Sequence, residues 1–364
     1  LSMERSGREI CGSLSTFSLV REPVCLTTLT QWRNRVSQKI NAAIVGLGRW
    51  GELLVSSVDD SEVLQFTAAV TRTPSKVEEF CAERGIKLSD QLEDVLGDES
   101  INALVIATPH SQHFDQLMAA AKAGKHVYCE KPWTLDAVEG QTALEAFAKA
   151  GLKVAIGHNR RFAPNSIAMK QVLDSGSLGA PIHIDGHFNA NLAPAEGLWR
   201  DNRAESPAGG MTSMGIHALD MFINLFGRIR DVDVQSTRVA SPIDVDDSTL
   251  VRVNFENGCS GHLTTLSATN MLWRISAYCL GGWVEIRDQD KLEISSIADG
   301  ASQKTYPGYE YPALSTIQAA LENFGTAIAD GTDFLISSEE IRHATIVLAA
   351  IIESAETKKL VTVG

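Results

Sequence analysis

Residues 41–51 read Asn-Ala-Ala-Ile-Val-Gly-Leu-Gly-Arg-Trp-Gly, and this stretch decides the fold of the first part of the chain. The apolar run Asn41–Val45 ends abruptly at a glycine, which predicts a short buried strand that stops in a tight turn. After the last glycine, Leu53, Leu54 and Val58 recur with helical spacing. The glycines therefore lie between a predicted strand and a predicted helix, which is the context that a dinucleotide-binding turn requires.

The glycines of this turn have separate roles in a dinucleotide site. Gly46 permits the tight turn, Gly48 lets the backbone approach a pyrophosphate, and Gly51 lets the helix pack closely on the strand. The start of the helix, which includes Arg49 and Trp50, offers unpaired N–H groups and a partial positive charge to phosphates. We therefore predict that all of these residues bind a cofactor. A plain glycine-rich turn is the alternative.

The segments that follow alternate between strands and helices. The sequence predicts strands at 64–70, 101–107 and 127–129, and helices at about 75–84 and 113–123. Such alternation indicates a parallel sheet with right-handed crossovers. We therefore predict an α/β, Rossmann-type dinucleotide-binding domain over residues 40–157.

The end of the second predicted strand bears on the choice of cofactor. An acidic residue there would bind the ribose 2′-hydroxyl of NAD, whereas an arginine accommodates the 2′-phosphate of NADP. This chain has Thr71 and Arg72 at that point and no carboxylate. We therefore predict NADP as the preferred cofactor, with NAD as the other candidate. Arg72 as a solvated loop residue is the alternative interpretation.

The composition bounds the class of protein. The chain has 364 residues, 44% hydrophobic and 21% charged, which is ordinary for a globular protein of two domains. A net charge of -13 argues against nucleic acid as a partner, and no apolar run reaches the length of a membrane span. The six cysteines form no C-x-x-C pair. We therefore expect reduced thiols and a cytoplasmic protein.

Residues 1–39 form an extension before the first predicted strand. They are rich in serine and arginine and contain Glu4, Glu9 and Glu22 as their acidic residues. A targeting segment has this composition. An upstream start site or cloning artefact before Met3, and an arm that packs on a partner subunit, are further interpretations that the sequence leaves open.

Residues 158–364 follow a different pattern and are predicted to form a second domain for substrate binding and oligomerisation. Predicted strands lie at 182–189, 232–239, 249–255, 261–266, 275–280 and 283–287, with hairpin turns at Asn257-Gly258 and Gly281-Gly282. The run Ser337–Glu340 predicts a capped helix near the end of the chain. We therefore predict an α+β domain with an open, mostly antiparallel sheet. Such a sheet favours a homodimer or homotetramer.

The first strand of this second domain has one apolar and one polar face. Ile182, Ile184 and Phe188 alternate with His183, Asp185, His187 and Asn189. Two histidines and an aspartate could bind a metal ion, but zinc sites usually add ligands from elsewhere, and no H-x-x-x-H or cysteine cluster supplies them. We therefore predict no metal site and interpret the polar face as solvated or as a subunit interface.

Five motifs in order resemble the glucose–fructose oxidoreductase/inositol dehydrogenase/rhizopine-catabolism (Gfo/Idh/MocA) family, from about residue 41 to the C-terminus. They are the glycine-rich turn Gly46–Gly51, Ala107-Thr108-Pro109-His110-x-x-His113, Ala123–Pro132 (AGKHVYCEKP), Gly157-His158-Asn159-Arg160-Arg161-Phe162, and Gly209–Asp220 (GGMTSMGIHALD). The resemblance implies a nicotinamide-dependent oxidoreductase. It also implies catalytic roles for Lys131, near the nicotinamide and before a cis proline, and for the active-site histidine His217. Further positions implied by the resemblance are Thr108, Pro109 and His113 near the cofactor, Glu130 near the nicotinamide ribose, and Asn159 and Arg160 in the substrate pocket.

One position departs from the family pattern. Members often have an aspartate four residues before the histidine, and this chain has Ser213, which can bind a substrate hydroxyl but cannot act as a carboxylate base. Histidine titrates near neutrality, whereas Lys131 must have its pKa lowered to act as a base. We therefore predict that His217 transfers the proton and Lys131 orients the reacting oxygen. Asp220 lies one helical turn after His217 and is a candidate hydrogen-bond partner for it.

The predicted function is an NADP- or NAD-dependent dehydrogenase or reductase that acts on a sugar, polyol or related hydroxy or keto compound. Trp199 and Arg200, in the polar loop before Gly209, are further candidate substrate residues, because arginine can bind a carboxylate or a hydroxyl. Two alternatives remain: reduction of a non-carbohydrate cyclic diol or ketone, and a non-catalytic cofactor sensor.

Overall fold

The computed structural model describes residues 38–192, 197–309 and 314–364. The predicted extension 1–39 lies outside these ranges except for its last two residues, Gln38 and Lys39. Within the described residues the chain forms two sheets, and the predicted fold class, a Rossmann domain followed by an α+β domain, is confirmed.

The first sheet has six parallel strands in the order β3-β2-β1-β4-β5-β6. The strands are β1 (Ile40–Val45), β2 (Leu64–Val70), β3 (Lys87–Ser89), β4 (Ala103–Ile106), β5 (His126–Cys129) and β6 (Val154–Ile156). Helices α1 (Arg49–Ser56), α2 (Glu78–Glu83), α3 (Glu93–Leu96), α4 (His113–Lys122) and α5 (Ala137–Ala150) connect them. The strand order reverses between β1 and β4, and in such sheets ligands bind at the carboxyl ends of the strands at this switch point.

The turn after β1 is held by two close approaches of backbone to backbone. A Cβ on Gly46, whose φ is +95°, would lie 2.7 Å from the carbonyl oxygen of Ala107. A Cβ on Gly51 would lie 2.3 Å from the carbonyl oxygen of Gly46. Only glycine fits at either position, so the turn and the loop after β4 are fixed against each other.

The second sheet has nine strands in the order β14-β13-β12-β11-β7-β10-β9-β8-β15. They are β7 (Pro181–Asn191), β8 (Ile229–Thr237), β9 (Ser248–Phe255), β10 (Ser260–Leu266), β11 (Ala268–Cys279), β12 (Gly282–Arg287), β13 (Lys291–Ser296), β14 (Gly300–Thr305) and β15 (Val361–Thr362). β7 and β10 pair in parallel, and the other neighbouring strands pair antiparallel. Helices α6 (Pro164–Asp174), α7 (Ile216–Phe226), α8 (Leu314–Asp330) and α9 (Ser338–Thr357) complete the fold.

Several predicted boundaries differ from those in the structure. The predicted helix 75–84 is a 3₁₀ turn, Pro74–Lys76, followed by α2, because Val77 between them has a non-helical φ of -129°. β13 and β14 escaped prediction because their residues are mostly polar, with Leu292 and Ile294 as the only large apolar side chains of the two strands. On β7 the alternation places Ile184 and Phe188 inside, as expected, but Ile182 is 48% exposed and Asn189 is buried.

Helix α8 returns to the first sheet although it follows the second sheet in the chain. Phe324 packs against Tyr128 of β5, with ring centroids 5.9 Å apart. A Cβ on Gly325 would lie 2.8 Å from a methyl carbon of Val63, so this helix lies close against the segment that enters β2. The first core is therefore completed by residues beyond 157. In the described ranges, no helix is long and apolar enough to span a membrane.

Candidate active site

A cleft of about 680 Å³ is lined by residues from both parts of the chain. It lies at the carboxyl ends of β1, β4 and β5, beside the turn that precedes α1. The predicted site residues that line it are Gly48, Arg49, Trp50, Gly51, Thr108, Glu130, Lys131, Asn159, Arg160, Trp199, Arg200, Ser213 and His217. The folded chain therefore brings most of the sequence candidates together around one cavity.

At one end of the cleft, the geometry around Gly48 fits a dinucleotide. A Cβ on Gly48 would meet no atom within 4 Å, so this glycine is not required by packing and instead leaves open space in the cleft. Gly48 is the N-cap of α1 and makes no side-chain cap. The first N–H groups of a helix have no intrahelical acceptors, so they are available to phosphate oxygens here.

Five predicted cofactor residues do not line this cleft. Gly46 begins the turn after β1 and does not line the cleft, and Pro109 is partly buried. Thr71 donates its backbone N–H to the carbonyl of Ser89, and Arg72 is exposed at the end of β2.

His113, the fifth of these residues, is fully buried behind the cleft. Its Nδ1 lies 2.8 Å from the carbonyl oxygen of Pro132, and its Nε2 lies 3.1 Å from that of Thr108. It therefore links the loop after β4 to the segment after Lys131. The structure gives it a positioning role and no direct exposure to the cleft.

Lys131 follows β5 and precedes a cis peptide bond to Pro132. Its ammonium Nζ donates a hydrogen bond to the backbone carbonyl oxygen of Ser213 at 2.7 Å. Removal of water lowers the pKa of Lys131 to about 8, the Glu130 carboxylate opposes this shift, and Arg200 and Arg160 add to it. The amine can therefore gain and lose a proton near neutral pH, as a general acid or base must.

Glu130 is buried beside Lys131, and burial raises the pKa of its carboxyl group while the Lys131 ammonium lowers it. Gly157 makes room for this carboxylate. A Cβ at position 157 would lie 2.5 Å from Oε1 of Glu130. The Glu130 carboxylate can therefore take its position beside Lys131 only because residue 157, in the loop after β6, is a glycine.

His217 is buried at the start of α7, and its ring Nδ1 has no hydrogen-bond partner. Burial, followed by the charges of Lys131 and Arg160, holds the pKa of His217 well below its usual range. Its ring packs against His158, with centroids 5.6 Å apart, and against Phe188, at 5.9 Å. The imidazole is therefore neutral at pH 7 and presents a free polar atom.

Asp220, expected as a candidate partner of His217, binds Arg161 instead. Its two carboxylate oxygens accept from Nη2 and Nε of Arg161 at 2.7 and 2.8 Å. Arg161 also donates to Glu340 at 2.6 Å, and this ion-pair group is buried at both Arg161 and Asp220. It ties the 3₁₀ turn Asn159–Phe162 to α7 and α9, and so fixes the segment that joins the two sheets.

The substrate end of the cleft has aromatic walls. The Arg160 guanidinium lies 4.4 Å from the ring centroid of Phe188 and 4.2 Å from that of Trp273, which holds it by cation–π contact. The Asn159 amide donates to the hydroxyl of Thr316 on α8 at 2.8 Å. Both residues line the cleft, and both are fixed before a ligand arrives.

The loop before α7 contacts the first sheet across the cleft. Trp199 meets His110 edge to face, with ring centroids 4.8 Å apart, and the Arg200 guanidinium lies 4.2 Å above the Trp199 ring. Ring Nδ1 of His110 lies 2.8 Å from the carbonyl of Glu205, and the Glu205 carboxylate accepts from Ser111. The loop is thereby fastened over the cavity.

Some lining residues were not singled out from the sequence. They are His110, Phe188, Met214, Met271 and Gln289. His110 lies within one of the quoted motifs, and Phe188 lies on the inward face of a predicted strand, so both carried a signal. Nothing in the sequence marked Met271 or Gln289 as site residues, because it is the folding of β11 and of the turn after β12 that brings them to the cleft.

Comparison with known proteins agrees with this architecture. Residues 40–158 match the GFO_IDH_MocA oxidoreductase family model, an NAD-binding Rossmann fold, and residues 167–285 match the GFO/IDH/MocA C-terminal domain. A solved structure of levoglucosan dehydrogenase in complex with NADH covers 90% of this chain and 100% of its own, with a TM-score of 0.82 at 21% identity. At that identity the likeness concerns the fold.

Curated relatives include two enzymes of Bacillus subtilis strain 168. The one named scyllo-inositol 2-dehydrogenase (NAD(+)) is 30% identical over 310 residues, which cover 81% of this chain and 88% of that protein. The one named scyllo-inositol 2-dehydrogenase (NADP(+)) is 27% identical over 206 residues, or 56% of each chain. Two other relatives, both named oxidoreductases, are matched over 53% and 64% of their length. From the two matched domain models and the long alignment, we conclude that this chain belongs to the Gfo/Idh/MocA oxidoreductase family.

Proposed function

We propose that this protein is a nicotinamide-dependent dehydrogenase or reductase that acts on a hydroxyl or carbonyl group of a sugar, polyol or related compound. The observation that carries the proposal is the position of Lys131. Its Nζ has a pKa lowered to about 8 and lies in the same cleft as the open Gly48 turn and the neutral His217. The names of the relatives, which include inositol and levoglucosan dehydrogenases, support this class of substrate.

The nicotinamide cofactor supplies a hydride acceptor or donor. Gly48 and the N–H groups at the start of α1 would hold its phosphates, and Thr108 and Glu130 would lie along its path to Lys131. The residues are suited to such a group, because the Cβ-free space at Gly48 admits a pyrophosphate close to the backbone.

We propose Lys131 as the group that exchanges the proton, which reverses the roles expected from the sequence. A general base works best when its pKa lies near the working pH. The Lys131 pKa of about 8 meets this condition, whereas that of His217 is held well below its usual value. In oxidation, the neutral Lys131 amine takes the proton of the substrate hydroxyl, and His217 holds the reacting oxygen through a ring nitrogen. In reduction, the Lys131 ammonium returns the proton.

Ser213 contributes through its backbone. Its carbonyl oxygen accepts from Lys131 at 2.7 Å and orients the amine, so the function of this position does not require a carboxylate side chain. Asn159, Arg160, Trp199 and Arg200 are proposed to contact the substrate.

We propose NADP(H) as the preferred cofactor. The loop after β2 contains Thr71 and the exposed Arg72 and no carboxylate before Glu78. A guanidinium at this place can accept a 2′-phosphate, whereas the 2′-hydroxyl of NAD would lack its usual acidic partner.

A parallel fluorescence titration with NADPH and NADH, followed by turnover assays with sugars and polyols, tests the proposal. We expect NADPH to bind about tenfold more tightly or better, a gap of about 1.4 kcal/mol, and turnover with at least one polyol or sugar. Tighter binding of NADH would overturn the cofactor preference alone. Binding without any turnover would favour the sensor alternative, and no binding would refute the oxidoreductase proposal.

We propose that the protein works as a homodimer or homotetramer, formed through the second sheet. That sheet presents exposed apolar side chains, including Ile182 at 48% and Leu250 at 42% exposure. Light scattering is expected to give two or four times the mass of one chain, and a monomer would contradict the proposal. We also propose a cytoplasmic location, since Cys81, Cys129, Cys259 and Cys279 are unpaired thiols.

A further inference from the structure

The outer face of the second sheet carries a group of histidine and carboxylate side chains that the proposed reaction does not use. Within the described ranges, His183, Asp185 and His262 are the one group of three potential ligands whose donor atoms all lie within 4.8 Å of one another. We propose that these three side chains bind a divalent transition-metal ion such as Zn²⁺.

The strand pairing brings the three residues together. β7 and β10 are parallel neighbours, with His262 directly opposite Asp185 and Ser260 directly opposite His183. His183 and Asp185 are two residues apart, so their side chains leave the strand on the same face. His262 is the ligand from elsewhere in the chain that the sequence of β7 alone did not provide.

The distances suit tetrahedral coordination. Both histidines point at the same carboxylate oxygen: His183 Nε2 lies 3.2 Å and His262 Nδ1 lies 3.4 Å from Oδ1 of Asp185. Ligands bonded at about 2.0–2.1 Å to a tetrahedral zinc ion are about 3.3 Å apart. Charge-assisted hydrogen bonds are shorter, at about 2.7–2.9 Å. The two distances to Asp185 therefore fit two edges of a tetrahedron around a zinc ion, and the donor atoms of the two histidines lie within 4.8 Å of each other.

A neighbouring hydroxyl orients one of the ligands. Nδ1 of His183 lies 2.8 Å from Oγ of Ser260. When this nitrogen donates to the hydroxyl, Nε2 presents its lone pair toward Asp185, which is the form that binds a metal. In that tautomer the lone pairs of Nε2 and of the Asp185 carboxylate face each other, and a metal ion between them would bind both.

The charges around the group allow a cation to bind. Arg252, opposite His262 on β9, is paired with Asp233 at 2.8 Å. On the other side of Asp185, Glu285 accepts from the Ser276 hydroxyl at 2.6 Å and from Arg287 at 2.8 Å, so the Arg287 charge is also paired. The side chain of His262 is 52% exposed, which leaves access for the ion and for a water as the fourth ligand.

The site would act independently of the cleft. Along β7 the side chains alternate, and Phe188 on the inner face lines the cleft while His183 and Asp185 lie on the outer face. An ion there would clamp β7 to β10 and stabilise the folded sheet in proportion to its affinity.

The test uses tag-free full-length protein, freed of metal with a chelator and kept in its natural oligomeric state. Zn²⁺ is titrated in competition with a chromophoric chelator, and bound zinc is counted by elemental analysis. We expect one ion per chain in the wild type. Asp185→Asn and His262→Gln should each weaken binding by about tenfold or more, or about 1.4 kcal/mol. Ser260→Ala should weaken it by about tenfold, because it removes the orienting hydroxyl.

His187→Gln is the matched control, because His187 lies on the same face of β7 but outside the group. Its zinc affinity should equal that of the wild type. Thermal unfolding provides a second readout: zinc should raise the Tm of the wild type and of His187→Gln but not that of His262→Gln. Equal affinity of the wild type and His262→Gln, or an equal loss in His187→Gln, would overturn the proposal.

Discussion

Nζ of Lys131 donates to the backbone carbonyl oxygen of Ser213 at 2.7 Å, and this contact joins the end of a strand in the first sheet to the turn before α7 in the second part of the chain. The amine is therefore oriented by main chain at the position where the family resemblance led us to expect an aspartate side chain. Because the acceptor is a backbone atom, this orientation does not require a carboxylate side chain at position 213.

Removal of the lysine amine should abolish most of the turnover. Lys131→Met keeps the length and much of the volume of the side chain but cannot exchange a proton. We expect kcat to fall by about 10²–10⁴-fold, the usual contribution of a general acid or base, with little change in NADPH affinity. Lys122→Met, an exposed lysine on α4, is the control. Near-normal turnover of Lys131→Met would show that Lys131 is structural.

The pH dependence should report the lysine directly. The Lys131 pKa is lowered to about 8, and oxidation needs the neutral amine, so kcat/KM for oxidation should rise with pH up to about 8 and then level off. Reduction needs the ammonium, so kcat/KM for reduction should fall as the pH rises above about 8. If kcat/KM for both oxidation and reduction instead followed a group that titrates well below pH 7, His217 would be the residue that transfers the proton.

Two substitutions should shift this pH profile in opposite directions. The Glu130 charge raises the pKa of Lys131 and the Arg200 charge lowers it. Glu130→Gln should therefore move the oxidation limb to lower pH, and Arg200→Met should move it to higher pH, whatever either change does to the absolute rate. If the pH at which oxidation sets in moved in the same direction in both variants, the rise in kcat/KM could not be assigned to Lys131.

Substitutions at two glycines of the cofactor turn should affect different properties, one the stability of the protein and the other its affinity for NADPH. Gly51→Ala places a Cβ 2.3 Å from a backbone oxygen and should destabilise the protein by about 1–3 kcal/mol, the usual cost of overpacking. Gly48→Ala meets no atom, so stability should hold while NADPH binding weakens by about tenfold or more. Urea unfolding and fluorescence titration measure the two effects. Wild-type NADPH affinity in Gly48→Ala would contradict the placement of phosphates there.

The sequence was sufficient for strands β1, β2, β4 and β5 of the first sheet, because glycines, apolar runs and motif order are local signals, but it missed the short strands β3 and β6. Contacts between side chains that lie far apart in the sequence could not be predicted from it. Asp220 lies one turn from His217 in sequence, yet it binds Arg161, because only the packing of α7 against the Asn159–Phe162 turn decides which neighbour its carboxylate meets. The pKa values of Lys131 and His217 likewise depend on burial and on distant charges, so their proposed roles changed once the fold was known.

Breaking the ion pair of Arg161 with Asp220 should lower the free energy of unfolding of the protein. Both side chains are buried, and Asp220→Asn leaves the Arg161 guanidinium paired with Glu340 alone. Leaving a buried charge with no partner typically costs about 3–5 kcal/mol, so with Glu340 still in place we expect a loss of up to about 3 kcal/mol in the free energy of unfolding. Asp220→Asn should therefore lower the urea midpoint strongly. Asp59→Asn is the control, since Asp59 pairs with Arg84 at 3.1 Å but is 45% exposed, and exposed pairs contribute about 0–1 kcal/mol. Equal midpoints for the two variants would mean that the group does not hold the segments together.

The proposed preference for NADP(H) depends on a single exposed guanidinium, that of Arg72. Arg72 follows β2, where NAD-dependent Rossmann domains place an acidic residue that binds the ribose. Arg72→Ala should weaken NADPH binding by about tenfold while leaving NADH binding unchanged, because only NADPH has a 2′-phosphate for the guanidinium. Lys76→Ala, another exposed cation four residues later, controls for general electrostatic attraction and should change neither affinity. Parallel fluorescence titrations measure both cofactors. An unchanged NADPH affinity in Arg72→Ala, or equal losses for NADPH and NADH, would show that Arg72 is a solvated loop residue.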